Sequence, residues 1–253
     1  MIGTLAQLIT LVAYGNNYLK NGVVPENFDA HNTTFQFCNS IDFRVFTKFF
    51  FFSKPAEKIV APTSAAWFKY LKQDGCKVLR IYFENSVDQV TTRDKDYKLA
   101  GFVGGGGSWL IEAVYDSYSN YWASKWEVTN KNAADQKIWT VNYGIAIKNQ
   151  HVGNLQIEPE TAKEKLRQTL TEIAEFAVVH DFAHWANQFE KSIILLDSQA
   201  PDKEYYHTDL IPENSYSLAD RQLLFAAGNA WVFGGMGTWN DLWFKYSDIS
   251  IRT

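Results

Sequence analysis

An α+β fold is what this sequence predicts, strands gathered in its first part and helices in its second. Three observations carry that expectation. Four strand-like runs stand in series between 97 and 148. The spacing of apolar residues turns helical after Pro159. The composition, 46% hydrophobic and 21% charged, can fill a core along the whole length.

The elements follow in order. Over 4–20, Leu5, Leu8, Ile9, Val12 and Leu19 share one broad helical face. Thr4 and Gln7 stand in a capping-box pattern, and Gly22 can stop the helix. In "TTFQFCNSIDFRVFTKFFFF", Phe35 and Phe37 alternate with polar residues, as do Ile41, Phe43 and Val45. Asn39-Ser40 reads as the turn between them, which predicts an N-terminal hairpin. Phe49 to Phe52 break the alternation, so that segment is covered on both faces or open to a partner. Pro62 to Asp74 reads as a helix, capped by Thr63 or Ser64 and stopped at Gly75. "KVLRIYF" follows as a strand, and 84–96 is a polar loop.

"YKLAGFV", "SWLIEAVYD", "NYWASKWEV" and "KIWTVNYGIAIK" are the four runs, rich in aromatic and β-branched residues. Their links are too short for parallel crossovers, so an antiparallel meander over about 97–148 is expected, packed against helices. Thr161 to about Gln188 reads as one long helix with Leu166, Leu170, Ile173 and Ala177 on its stripe. "SIILLD" is a short strand or a further turn of helix, and 197–215 is a loop. Ser217 and Asp220 cap "LADRQLLFAAGNAWVF", which ends at Gly234-Gly235. No repeat or linker divides the chain, so 1–253 is expected to form one domain.

Charge and cysteines narrow the function. Formal net charge is −4, and no run of Lys or Arg makes a stripe that could follow phosphates. Nucleic acid is therefore disfavoured, and a basic partner suits better. Cys38 and Cys76 lie in no metal or redox spacing and read as buried free thiols. The N-terminal stretch lacks a basic region and a small-residue cleavage site, and no run of about 18 apolar residues could span a membrane. The cytoplasm is the expected compartment.

One stretch comes near to naming a reaction. In "AVVHDFAHWANQF", His180 and His184 stand four apart and would share one side of a continuous helix. This resembles the H-E-x-x-H helix of zinc hydrolases, with Asp181 where that motif has its glutamate base. A third ligand would have to come from His207, in "YYHTD", or from Glu204. The same stripe also continues a core face, so hydrogen-bonded core histidines are the competing reading. No cofactor and no metal are expected. A metal-dependent hydrolase built on His180, His184 and His207, with Asp181 as base, is the alternative.

Other candidates carry less. "FVGGGGSWL" leads into a strand, unlike phosphate loops, and reads as a hairpin loop or a close approach to a ligand beside Trp109. In "NAWVFGGMGTWND", Trp239 stands in a tight loop where Asn240 and Asp241 can cap the next turn. There is no G-x-S-x-G, and neither cysteine sits in a nucleophile signature. The high aromatic content, 16%, includes Tyr118, Tyr205, Tyr206 and Trp239 in expected loops. Over 201–213, Asp202, Glu204, Asp209 and Glu213 surround two of these. The leading expectation is a non-enzymatic protein-binding module, of the type that neutralises a toxin or enzyme as bacterial immunity proteins do. It would meet a basic protein through Tyr205, Tyr206, Glu204, Asp209 and Trp239. A small-molecule-binding domain with an aromatic pocket on the meander is the remaining alternative.

Overall fold

In a computed structural model, residues 3–47, 56–84, 108–150 and 158–232 are described. The Phe49–Phe52 run, the loop from 85, the first of the four runs, the Gly104–Gly107 loop, His151 and everything from 233, Trp239 included, lie outside them.

Helix α1 (Gly3–Asn21) begins the chain and ends where Gly22, at φ 74°, donates to the Tyr18 carbonyl at 2.8 Å. A short helix α2 (Phe28–His31) and a 3-10 turn (Thr33–Phe35) lead into strand β1 (Cys38–Thr47). Strand β2 (Ala56–Ala61) returns antiparallel to β1. Helix α3 (Ser64–Gln73) follows, with the Thr63 hydroxyl accepting from the Ala66 N–H at 3.2 Å and Gly75 at φ 88° beyond its end. Strands β3 (Val78–Glu84), β4 (Ser108–Val114), β5 (Ser119–Val128) and β6 (Trp139–Gln150) complete one six-stranded sheet, ordered β2-β1-β6-β5-β4-β3. Helices α4 (Pro159–Val179), α5 (Ala183–Leu195) and α6 (Leu218–Asn229) follow.

The fold is therefore α+β with a mostly antiparallel sheet, but not a strict meander. β4, β5 and β6 pair antiparallel in series, as their short links require. β1 then lies parallel to β6, with Phe43 opposite Tyr143. The predicted hairpin at Asn39-Ser40 is not formed: both residues lie inside β1, and Phe35 sits in the 3-10 turn. The Asn32 side chain imposes that turn by accepting from the Thr34 N–H at 3.0 Å. The hairpin partner of β1 is β2 instead.

One face of the sheet carries the aromatic core. The Phe43 ring stacks on Trp67 at 4.4 Å and on Tyr143 at 5.2 Å, and Trp67 meets Trp122 edge-on at 5.4 Å. All four rings are fully buried. Such pairs add about 0.5–1.5 kcal/mol each beyond their buried area. α1 runs close against β3 and α3, because Gly15 leaves no side chain between them: a Cβ there would stand 2.4 Å from Leu79 and 3.1 Å from Phe68. Asn16 seals the same contact, its amide donating to the Leu79 carbonyl at 2.9 Å and accepting from its N–H at 2.7 Å. Among the described residues β3 is the edge strand, so these are backbone groups that no described strand satisfies. Gln7 does not cap α1. It is buried, where it donates to the Thr34 carbonyl and accepts from the Tyr143 hydroxyl at 2.8 Å.

The opposite face is polar around β1 and β6. Arg44 bonds Asp42, Glu57 and Asn142, the last of which donates to Glu127. The three C-terminal helices pack chiefly on one another through Leu170, Ala174, Phe189, Leu196 and Ala226. Phe225 reaches the outer side of α1 at Leu5, Ala6 and Ile9. Both cysteines are buried free thiols. Among the described residues no helix is long and apolar enough to cross a membrane.

Candidate functional site

The segment between α5 and α6 is irregular but fixed. Its anchor is Asp209, which accepts from the Thr33 N–H at 2.8 Å with one oxygen and from the Thr33 hydroxyl with the other. The Asp209 carbonyl accepts from Asn32 at 2.8 Å and from the Tyr14 hydroxyl at 3.3 Å. The Leu210 carbonyl accepts from Thr10 at 3.1 Å, and the Leu210 side chain is fully buried. Burial, then the nearby Asp209 and Glu213 charges, pushes the Tyr14 hydroxyl up to about 12.

His207 is built into this anchor through Nδ1. Its Nδ1 lies 2.8 Å from the Thr33 hydroxyl oxygen, whose only proton goes to Asp209. Nδ1 must therefore donate, which leaves Nε2 as the acceptor nitrogen of the neutral ring. Burial lowers the pKa of the ring and so favours this neutral form.

Tyr206 stands out from the same segment, 71% exposed. Its hydroxyl accepts from Gln36 at 2.8 Å, which fixes the ring beside the turn that leads to the exposed Phe37. Tyr205 points the other way, its ring edge-on to Phe225 at 5.1 Å, and burial raises its hydroxyl to about 12. Tyr206 is thus the outward member of the pair and Tyr205 a half-buried packing residue. The four carboxylates do not form a free acidic patch. Asp202 pairs with Arg221, Glu204 pairs with Lys191 at 3.4 Å, and Asp209 is the internal anchor. Glu213 is exposed. Trp239 lies outside the described residues.

The helix expected to carry His180 and His184 is broken between them. His180 ends α4, and Asp181 adopts the left-handed conformation at φ 61°. The Phe182 N–H bonds back to the Ala177 carbonyl at 2.8 Å and the Asp181 N–H to Val178 at 3.2 Å. This is the Schellman arrangement, with aspartate at the position glycine usually takes. Phe182 then opens α5, its carbonyl accepting from Trp185 and Ala186. The two imidazoles therefore do not share one helical side. The His180 ring packs on Phe176 at 4.3 Å, and the exposed His184 lies edge-on to Trp185 at 5.0 Å. Asp181 is exposed. Among the described residues no three His, Cys, Asp or Glu side chains converge as a metal would need.

A cleft of about 510 Å³ opens where α1, the edge of the sheet and α6 meet. Leu5, Ile9, Ile81, Trp109, Leu224 and Trp231 supply most of its wall. Besides the indole N–H groups of Trp109 and Trp231, its polar side chains are Tyr216 and Asp220, near the start of α6. Burial, with Asp220 beside it, pushes the Tyr216 hydroxyl above its usual range. Nothing in the sequence joined these residues, which come from five separate segments. Ser217 was legible as the cap that sets Asp220 in place, accepting from the Asp220 N–H at 3.1 Å. Set against protein-family models, curated proteins and solved structures, the chain matches none of them.

Proposed function

We propose that the chain is a non-catalytic protein-binding module, and that it meets its partner at the surface formed by Tyr206 and the turn carrying Gln36 and Phe37. The observation behind this reading is the contrast within five residues: Tyr206 is 71% exposed while His207 and Leu210 are buried and bonded into the fold. An aromatic ring held in place before binding loses little entropy on contact, which is the property of interface anchors. Tyr205 and Asp209 serve this surface indirectly, by fixing the segment. Glu204 and Glu213 stand at its margin, and with the net charge of −4 they favour a basic partner, whose approach they would speed more than they would tighten the complex. Neutralising a toxin or enzyme inside the cytoplasm is the form of binding that best suits a chain without a nucleophile signature.

The test is capture of partners from the native host on the immobilised chain, then affinity for a captured protein. Tyr206→Ala is expected to weaken binding by about 1–3 kcal/mol, with the melting temperature unchanged. Equal affinity in that variant, together with binding that ignores salt concentration, would remove both the surface and the basic character of the partner.

A further inference from the structure

We infer that the cleft between α1, the sheet edge and α6 binds a small apolar molecule carrying a positive charge, an amine or quaternary ammonium on a hydrocarbon body. Four observations lead there. The volume of about 510 Å³ lies in the range of small-molecule sites. The wall is aliphatic or aromatic over nearly all its extent, so an occupant must present hydrocarbon to Leu5, Ile9 and Leu224. Trp109, Trp231 and Tyr216 stand in the lining, and aromatic side chains are the apolar groups that attract cations. Among the described residues the only charged side chain in the lining is Asp220, and no Lys or Arg lines it.

Asp220 differs from three carboxylates of this half that are held in ion pairs. Asp197, Asp202 and Glu204 each have a basic side chain as partner. Among the described residues the Asp220 carboxylate has only the Ser217 hydroxyl, at 2.6 Å. A negative charge at the rim of an apolar cleft excludes an anion, adds nothing for a neutral molecule and selects a cation. None of the cleft residues belongs to the Tyr206 surface, so this site does not depend on the protein-binding reading.

The experiment compares two probes of one shape on the purified full chain by titration calorimetry and ligand-observed NMR: benzyltrimethylammonium and its uncharged carbon isostere, neopentylbenzene. Saturable one-site binding is expected for both, with the cation preferred by about tenfold. Asp220→Asn keeps the Ser217 hydrogen bond and removes the charge, and should abolish most of that preference while leaving neopentylbenzene unaffected. Ala227→Trp, at an exposed lining position, fills the cleft and should remove binding of both. Absence of saturable binding in the wild-type chain, or equal affinity for the two probes, overturns the assignment without recourse to any variant. A preference that survives Asp220→Asn overturns the role given to Asp220 and, with it, the cation.

Discussion

The sheet half of the molecule and the helical half are built from different materials. Between Gly3 and Gln150 the core is aromatic, with Phe43, Trp67, Trp122 and Tyr143 in mutual ring contact. Between Glu158 and Val232 the core is aliphatic with two phenylalanines, and alanines such as Ala174, Ala177, Ala186 and Ala226 stand among its larger residues. There the helices are joined by polar bonds as well: Gln188 donates to the Asn229 carbonyl at 2.6 Å, and Asn229 to the Ser192 hydroxyl at 2.8 Å. Less apolar area per residue means less stabilisation per residue. The helical half should open first, and both proposed binding surfaces draw on it, as low-stability elements commonly carry binding. Among the described residues the aromatic side chains, which invite an interface explanation, go largely into the sheet core.

The largest effect that tests this contrast is Trp67→Ala. It should cost about 3–5 kcal/mol in denaturant unfolding, and a loss below about half of that would mean the stacked rings are not the main source of stability. Gly15→Ala comes next. Overpacking against Leu79 and Phe68 outweighs the better helix propensity, for a net loss of about 1–2 kcal/mol. A neutral result would show that α1 can move off the sheet.

Acid probes the seam between the halves. His207 has a lowered pKa when folded, so the unfolded chain binds its proton more readily. Stability from this residue is present above its ordinary value of 6.5 and is lost as pH falls through that value toward the lower folded one. The melting temperature should decline in that window, and His207→Gln should flatten the decline. An unchanged slope would remove His207 from the seam. Asp181→Gly should act in the opposite sense, raising stability by about 1 kcal/mol, because glycine fits the left-handed position without penalty. Hydrogen exchange should place that gain in α4 and α5 alone. Tyr206→Ala should be smallest of all in stability, within about 0.5 kcal/mol, as its exposure requires.

These contrasts follow the line between what sequence reasoning reaches and what it misses. Local signals were sufficient for α1, for α3 with its Thr63 cap, for the antiparallel order of β4 to β6 and for Ser217 at the start of α6. Period, cap and link length act within a few residues, so one chain shows them. Failures occurred where a distant or unusual partner decided the outcome. Alternation at Phe35 and Phe37 suggested a strand, but Asn32 bends that segment into a turn that receives Asp209. Apolar spacing runs unbroken through His180, and no Gly or Pro marks the end of α4, because aspartate occupies the left-handed position. Of the expected contact residues, Tyr206 emerges as exposed, while Tyr205 and Asp209 are committed to the fold. Their inward bonds reach residues far back in the chain, which no local pattern encodes.

The parallel pairing of β1 with β6 has a consequence for biosynthesis. The Ser40 and Thr140 hydroxyls that touch across it are 100 positions apart. A ribosome making the chain at about 5–20 residues per second releases β1 seconds before β6 exists. Over that interval β1 has β2 on one side and an open edge on the other. The nascent chain therefore passes through a window in which a strand carrying Ile41, Phe43 and Val45 is available to any other strand it meets. Chains arrested before Trp139 should engage holdase chaperones or aggregate, and chains extended past Gln150 should not.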